Sequence, residues 1–370
     1  MYSNDKLREE ITEMKILNRQ QLLDMVDGTA IFSAGGGGAP ELGYGIVEKL
    51  VNDGYEVRLI EPNEVPEDAI VANFACVGAT TSVGYDSQAA VKTLKILEEY
   101  IGKEVFAVIP VELGGFNTLV AVDVAARRGV PVVDADGAGR AVPEVHLKVY
   151  TIDEIPLAPM VIADIRAKNV VIVKETADSK SAERMARVLA TEWSHTAYTA
   201  RRILTGTQVK YSPVQKSLSR AIKIGEILRT SKNPMKSVLA ETEGYKLFQG
   251  RVAQISKETI GGFTWISVSI RGENEFEGST FNFKAKNEVL IAYRNGKLVA
   301  MAPDIITPVR SENGKCVTAE RIREGDSIAV LGLKAPEKWR TSKGIELWME
   351  MLRRSRVTEN YVPIEKLVSS

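Results

Sequence analysis

The feature that most constrains this chain is an alternation of apolar, strand-like segments with helical segments in its first half. Residues 69–77 and 105–111 are almost continuously apolar, and each is followed by a helical segment, at 87–100 and 118–128. Continuous apolar strands separated by amphipathic helices are typical of a parallel sheet that is covered on both faces. We therefore predict an α/β domain over residues 1–168, built on a Rossmann-like, mostly parallel sheet.

The beginning of this domain is predicted to be helical. Residues 6–17 form one expected helix and residues 19–26 a second, which Gly28 would stop. A short apolar strand over residues 29–34 would then lead into four consecutive glycines. This order would place the glycine run at the carboxyl end of the first strand.

The second half of the chain has a different pattern. Two long helices are predicted at about 181–204 and 213–229, and short β-rich segments separated by turn signals fill residues 240–335. Asn295-Gly296, between two apolar segments, is a strong hairpin signal. We assign residues 169–370 to a C-terminal domain of two helices and a β-rich part.

Charge and cysteine content argue against several classes of protein. Lys and Arg number 48 and so do Asp and Glu, so no net field attracts nucleic acid or a membrane surface. No run of about 18 apolar residues is present to span a bilayer, and residues 1–15 lack the apolar segment of a signal peptide. Two cysteines, Cys76 and Cys316, do not make a disulfide framework. We expect a cytoplasmic protein with a small-molecule substrate.

Glycines and hydroxyl residues stand where predicted strands end, which is where ligands bind in open parallel sheets. The N–H groups of a glycine run at the start of a helix suit an anion or a polarised carbonyl, because no Cβ keeps the ligand away. The run matches neither a P-loop nor the G-x-G-x-x-G fingerprint, and the alternative is a tight packing turn. The residues assigned here to substrate binding are Gly35, Gly36, Gly37, Gly38, Thr80 and Thr81.

Carboxylates join the glycines at the ends of the fourth and fifth predicted strands, residues 105–111 and 130–133. Glu112 follows the fourth strand, and Asp134 and Asp136 follow the fifth. Two carboxylates in D-x-D spacing can share a hard cation such as Mg²⁺ or Mn²⁺, or divide into an acid and a base. The alternative is that the Asp-Gly sequence only forms a turn. We predict these three residues as the catalytic group and leave a divalent metal ion open.

Three more side chains near these strand ends are assigned to the substrate site. Asn117 and Arg140 offer donors for a carbonyl or carboxylate, and Glu144 lies shortly after the fifth strand. Each of them alone is more often a loop hydrogen-bonder or a surface ion pair. The chain has only two histidines, His146 and His195, without metal-ligand spacing, so acid–base chemistry is expected to fall mostly to carboxylates.

The segments that carry these residues resemble the S-methyl thiohydantoin desulfurase-like family, a former domain of unknown function associated with hydantoinase/oxoprolinase systems. The resemblance implies a hydrolase-like activity on a hydantoin, thiohydantoin or related cyclic amide, at an amide or C–S bond. It also implies that a hydantoinase-type protein is a candidate partner. The matching segments are residues 28–43, 77–81, 112–117, 134–144, 247–252, 287–288 and 302–307.

Three functions stay open at this point. In the first, a carboxylate among the catalytic group activates water while the glycine run stabilises oxyanion charge. In the second, the chain is a nucleotide-binding oxidoreductase whose Glu61, roughly 20 residues after the glycines, binds a ribose. In the third, it is a non-catalytic subunit of a hydantoinase-type enzyme. A homo-oligomer is compatible with all three, and no interface is apparent in the sequence.

Overall fold

The computed structural model describes residues 14–78, 84–193 and 195–369. Most of its N-terminal half is organised around a sheet of eight described strands. These strands are β1 (Lys15–Leu17), β2 (Val57–Ile60), β3 (Ile70–Gly78), β4 (Ala107–Pro110), β5 (Val132–Val133), β7 (Met160–Asp164), β8 (Val170–Val173) and β9 (Thr196–Thr205). Two short strands, β6 (Ala135–Asp136) and β10 (Val214–Gln215), form a separate antiparallel pair.

The first sheet is mixed, in the order β1-β2-β5-β4-β3-β9-β7-β8. Strands β2, β5, β4 and β3 are parallel, whereas β1 and the three strands on the other side are antiparallel. The α/β class is confirmed, but a Rossmann-like, mostly parallel sheet is not. Strands β7 and β9 are as buried as the parallel ones, so hydrophobicity alone does not distinguish the two directions.

Helices cover this sheet and connect its strands. Those in the first 242 residues are α1 (Arg19–Phe32), α2 (Pro40–Asn52), α3 (Ser87–Ile101), α4 (Asn117–Arg128), α5 (Val149–Ile152), α6 (Ser179–Glu192), α7 (Gly206–Tyr211), α8 (Ser217–Thr230) and α9 (Pro234–Thr242), with a 3-10 turn at Pro62–Glu64. The predicted strand at residues 29–34 is wrong, since helix α1 runs through Phe32. Its N-terminus is fixed by a capping box between Asn18 and Gln21.

Gly28 lies inside helix α1 rather than at its end. A Cβ on this residue would stand 1.7 Å from the carbonyl oxygen of Ala221 in helix α8, and one on Gly225 would stand 1.8 Å from the carbonyl oxygen of Asp24. The two glycines therefore allow the backbones of α1 and α8 to touch. The glycine run that follows α1 is consequently a helix-to-helix turn and does not end a strand.

The predicted helix at residues 181–204 is also wrong in its second part. Helix α6 ends at Glu192, and residues 196–205 form β9, hydrogen-bonded between β3 and β7. The β-branched and aromatic residues of this segment suit a central strand, and tertiary pairing overrides its helical spacing. The first sheet thus continues beyond residue 168. Of the helix expected at residues 6–17, positions 6–13 lie outside the described residues, and residues 15–17 form β1.

The second sheet is antiparallel and confirms the β-rich segment at residues 240–335. Its hairpin at Asn295-Gly296 is confirmed as well, with φ of 50° and 77° at the two turn residues. The strands are β11 (Tyr245–Ile260), β12 (Phe263–Gly272), β13 (Thr280–Lys286), β14 (Glu288–Arg294), β15 (Lys297–Met301), β16 (Ile305–Arg310) and β17 (Ser327–Leu333). Short 3-10 turns lie at Asn274–Phe276 and Ala319–Arg321, and helices α10 (Glu337–Arg340), α11 (Ser342–Arg354) and α12 (Ile364–Val368) complete the chain.

The two halves join at the glycine turn. The N–H of Val289 donates to the carbonyl oxygen of Ala34 and the N–H of Ala319 to that of Gly35, both at 2.8 Å. The hydroxyl of Thr307 donates to the carbonyl oxygen of Ile31 at 2.7 Å. These bonds bring the start of strand β14 against the turn between α1 and α2. No helix among the described residues combines the length and apolar character needed to cross a bilayer.

Candidate functional site

A small cavity lies where the two halves meet, beside the carboxyl ends of the parallel strands β3 and β4. Its volume is about 70 Å³, room for roughly five water molecules at about 10–15 Å³ each. Walls come from both halves of the chain. The polar side chains that line it are Glu112, Asn117, Lys148, Arg187, Thr196, Arg201, Asn287 and Glu288.

Glu112 is held on several sides in this cavity. Its Oε1 accepts a hydrogen bond from Nδ2 of Asn117 at 2.8 Å, and its Oε2 accepts from Nζ of Lys148 at 2.9 Å and from the N–H of Val142 at 3.3 Å. Asn117 is itself fixed, because its Oδ1 accepts from the N–H of Cys76 at 2.8 Å. Glu112 and Asn117, both predicted from the sequence, are therefore brought together.

Lys148 forms a buried ion pair with Glu112. Burial lowers the pKa of the Lys148 amine, and the neighbouring Glu112 carboxylate opposes that change. Such a pair is held by its mutual attraction, since either charge alone would be costly in this environment. The ion pair thus fixes a carboxylate oxygen at the cavity wall.

Glu288 is the second carboxyl group of the cavity and differs from the first. Burial and, to a smaller extent, the charge of Glu112 raise its pKa to about 8, whereas Arg140 acts in the opposite direction. Its Oε2 has no hydrogen-bond partner among the described residues. The surroundings of Glu288 thus favour its protonated form, and it shares the cavity with the ion-paired Glu112, the arrangement from which acid–base pairs are built.

The glycine turn supplies part of the cavity wall through Gly37 and Gly38. A Cβ on Gly37 would lie 2.6 Å from the Cα of Gly114, and a Cβ on Gly38 would lie 2.7 Å from the Cβ of Phe116. At Gly36 it would lie 2.1 Å from Oε1 of Glu288. The turn is glycine-rich because the loop after β4 and the Glu288 side chain press against it. Gly35 and Gly36 are not among the residues that line the cavity.

Two arginines complete the polar wall. Arg187 donates from Nε and Nη2 to one carboxylate oxygen of Glu183, at 2.9 and 2.8 Å, and from Nη1 to the carbonyl oxygen of Gly262 at 3.1 Å. Arg201 is 3% exposed, and burial lowers its pKa to about 10. The two guanidinium groups differ because Arg187 is paired with the Glu183 carboxylate at 2.8 Å, whereas no carboxylate among the described residues contacts Arg201.

Asp134 and Asp136 are not among the residues that line the cavity. Oδ1 of Asp134 accepts from the N–H groups of Leu218 and Ser219, both at 2.9 Å, and so caps helix α8. Oδ2 of Asp136 accepts from the N–H groups of Ala138 and Gly139 at 2.8 and 2.7 Å. Burial raises the pKa of Asp136 to about 6. Their contacts match the turn alternative.

Arg140 and Glu144 also lie outside the cavity lining and link the two halves. Arg140 donates to the carbonyl oxygens of Pro303 and Asp304, and its guanidinium lies 4.7 Å from the ring centroid of Trp348. Glu144 accepts hydrogen bonds from Lys286 and from Arg354. These contacts stabilise the interface that forms the cavity.

The remaining predicted positions lie elsewhere. Thr80 and Thr81 fall outside the described residues. Glu61 is exposed and begins the 3-10 turn at Pro62–Glu64, where its N–H donates to the Glu64 carboxylate. The described residues bring together no group of three or more His, Cys, Asp or Glu side chains that could hold a metal ion.

Six polar cavity residues were missed at the sequence level. Thr196 and Arg201 fall in the segment that was predicted as a helix, and that prediction does not bring them to the strand ends. Asn287 and Glu288 form the segment 287–288 that carried part of the family resemblance, and that was the available signal. Lys148 and Arg187 have no sequence pattern that separates them from other cations.

Comparison with known proteins supports the fold and the family. A family model described as S-Me-THD-like, N-terminal domain, matches residues 20–174, and one described as S-Me-THD-like, C-terminal domain, matches residues 177–349. The crystal structure of a protein from Chromobacterium violaceum superimposes with a TM-score of 0.78 at 22% sequence identity, over 95% of this chain and 100% of that one. This structural likeness establishes the fold. No curated protein matches the chain in sequence.

Proposed function

The chain belongs to the S-Me-THD-like family, and from that premise we propose that it hydrolyses the C–S bond of a small S-methyl thiohydantoin or related cyclic amide. The observation that carries the proposal is the pair of unlike carboxyl groups in one cavity. Glu112 is an ion-paired carboxylate, and Glu288 is held protonated by its surroundings. A hydrolysis that needs one proton acceptor and one proton donor fits this pair.

The proposed reaction is a hydrolysis in which water replaces the S-methyl group. The oxygen of water adds to the ring carbon that bears the S-methyl group, and the C=N bond of that carbon becomes a C–N single bond. The C–S bond then breaks as the carbonyl forms, and methanethiol leaves. One of the two protons of water ends on the thiol and the other on the ring nitrogen, so the products are a hydantoin and a thiol.

Each carboxyl group has a role in this scheme. Glu112 accepts a proton from the attacking water, and Lys148 and Asn117 keep its oxygens oriented. Glu288 donates a proton to the ring nitrogen or to the leaving sulfur. Backbone N–H groups of Gly37 and Gly38, at the cavity wall, are the candidate donors to the negative charge that develops on oxygen.

Direct attack by a cysteine has less support than attack by water. Cys76 lines the cavity, but burial raises the pKa of its thiol. The thiolate is the reactive form, and the described residues place no histidine in the cavity lining. We therefore assign Cys76 to the wall and not to a covalent step.

The two other hypotheses receive less support from the contacts. Gly36 and Gly37 pack closely against Glu288 and Gly114. The backbone N–H of Glu61 donates to the Glu64 carboxylate in a 3-10 turn. A purely binding role remains an alternative outcome of the assay. Copurification with a hydantoinase-type enzyme, together with inactivity of the chain alone, would favour it.

The test is release of thiol from an S-methyl thiohydantoin by the purified chain, measured with a chromogenic disulfide reagent. We expect Glu112→Gln and Glu288→Gln to lower the rate by at least about 10²-fold, the contribution of a positioned acid or base. Asp136→Asn is the matched control, since that carboxyl is buried outside the cavity lining, and we expect it to retain activity. An inactive wild-type chain, or equal losses in all three variants at equal folded fraction, would refute the proposal.

A further inference from the structure

Arg201 is an unusual residue in the cavity wall. It lies in strand β9, in the middle of the first sheet, opposite Asn73 on one side and Met160 on the other. It is 3% exposed, yet its Nη1 has no hydrogen-bond partner among the described residues. A buried guanidinium nitrogen that lacks a hydrogen-bond partner is costly, and in Arg201 this nitrogen belongs to a side chain that lines the cavity.

The next residue along the strand shows what a structural arginine does in this sheet. Arg202 is fully buried too, and its Nη2 also has no hydrogen-bond partner among the described residues. It differs from Arg201 because its Nη1 donates to the carbonyl oxygen of Ile155 and its guanidinium lies 5.1 Å from the Tyr150 ring centroid. A bulge with φ of 50° at Arg202 separates the two side chains. Arg202 does not line the cavity, whereas Arg201 does.

The charges of the described wall leave Arg201 without a counter-ion. Lys148 is paired with Glu112 at 2.9 Å, and Arg187 with Glu183 at 2.8 Å. Glu112 and Glu183 attract Arg201 from beyond contact distance, and each already holds another cation. Arg201 is therefore the cation of the described wall that no carboxylate contacts.

A second polar atom points to the same conclusion. Thr196, at the start of β9, is 2% exposed and lines the cavity, and its hydroxyl has no hydrogen-bond partner among the described residues. Two buried polar groups on one strand thus face a small space without protein partners. Buried polar groups are normally satisfied, and a polar ligand would satisfy both.

We propose that the substrate carries a carboxylate on a short substituent of its ring and that Arg201 binds this carboxylate. This inference rests on the proposed function and names the substrate class within it. A guanidinium offers paired donors that match a carboxylate. The small volume of the cavity, about 70 Å³, suits a short substituent better than a long one. The deprotonated ring is the other source of negative charge.

Binding measurements distinguish a carboxylate on the substituent from a deprotonated ring, and they do not require the protein to turn over a substrate. Isothermal titration calorimetry would compare hydantoin-5-acetate, hydantoin-5-acetamide and hydantoin on the full chain. We expect the acid to bind about 10- to 100-fold more tightly than the neutral amide, the strength of a hydrogen bond to a charged group. If the ring anion were the ligand, the acid and the amide would bind equally and their affinities would rise together with pH, which would overturn the proposal. Failure of the acid to bind would overturn it too.

The variant Arg201→Met tests which residue is responsible. We expect it to abolish the preference for the acid while the dissociation constant of the amide changes less than about twofold, within the scatter of independent sites. Arg201→Lys should keep part of the preference, because the charge remains and the fork is lost. Equal weakening of acid and amide in both variants would refute the role of Arg201. Thiol release is measured separately, so a failed desulfurase assay and a failed carboxylate site are distinguishable.

The thermal midpoint distinguishes this role from a structural one. Removing an unpaired buried charge is expected to leave the midpoint of Arg201→Met equal to or above that of the wild-type chain. A fall in the midpoint that accompanies the loss of binding would mean that Arg201 serves the fold, and the proposal would fail.

Discussion

Replacing Glu288 by glutamine tests the protonation state on which the proposed acid–base pair depends. The carboxyl group is 3% exposed, its Oε2 has no partner among the described residues, and the charge of Glu112 lies close by. Glutamine has the shape of the protonated acid and cannot ionise. The variant therefore isolates the cost of ionising this one carboxyl group inside the folded protein.

The sign and size of the effect follow from the pKa. The pKa of Glu288 is raised from 4.5 to about 8 in the folded chain, so its unfolded state releases the proton first as pH rises. Wild-type stability relative to the variant is greatest below about pH 4.5, falls between that value and about pH 8, and then levels off. At about 1.4 kcal/mol per pH unit the total loss is about 5 kcal/mol.

The assay is urea unfolding of both proteins at a series of pH values from about 4 to about 9, a range that covers the interval over which the stability difference is expected to change. The difference in unfolding free energy between Glu288→Gln and wild type should widen steadily in favour of the variant. Asp136→Asn is the control. The pKa of Asp136 is raised from 3.8 to about 6, so the stability difference between this variant and wild type should stop changing about two pH units below the point at which it does for Glu288→Gln. Parallel stability profiles of Glu288→Gln and wild type would refute the buried, protonated state of Glu288 and with it the assigned proton donor.

Other substitutions test the contacts around the site. Gly36→Ala places a methyl group 2.1 Å from Oε1 of the Glu288 carboxyl group and should destabilise the fold by about 1–3 kcal/mol. Gly45→Ala has nothing within 4 Å at an exposed helix position and should stabilise it by about 0.5–1 kcal/mol. Thermal unfolding compares the two variants, and equal shifts of the midpoint would contradict the close approach at Gly36. Asp134→Ala removes the cap of helix α8 and should lower the free energy of unfolding by about 1–2 kcal/mol. Thiol release per folded molecule should stay unchanged. A loss of rate beyond the loss of folded protein would return this residue to the catalytic group. Lys148→Met leaves the Glu112 charge buried and unpaired, so urea unfolding should show a loss of about 3–5 kcal/mol; a second change, Glu112→Gln, should recover much of it, and a simple sum of the two losses would argue against the ion pair.

Several elements could be predicted because their cause is local. The hairpin at Asn295-Gly296 follows from two residues that accept positive φ. The central strands β3 and β4 follow from continuous apolar runs. Glu112 and Asn117 were located because the rule that ligands bind at the carboxyl ends of parallel strands applies to β3 and β4 whatever the rest of the sheet does.

Other elements failed because distant contacts decide them. Residues 196–205 have helical spacing in part, but two neighbouring strands need hydrogen-bond partners there, and the segment becomes β9. Gly28 has the appearance of a helix stop, but the backbone of Ala221 occupies the place of its side chain. Neither partner is visible in a local window of sequence.

The sequence by itself determined the α/β class, the family and the strand ends that border the cavity, because hydrophobic pattern and turn residues act over a few neighbouring positions. The tertiary structure alone decided which charged residues meet there. Glu288 reaches Glu112 across 176 positions of the chain only because strand β14 docks on the glycine turn. The raised pKa of Glu288 and the lowered pKa of Arg201 both arise mainly from burial, which is a property of the packed molecule and not of any segment of its sequence.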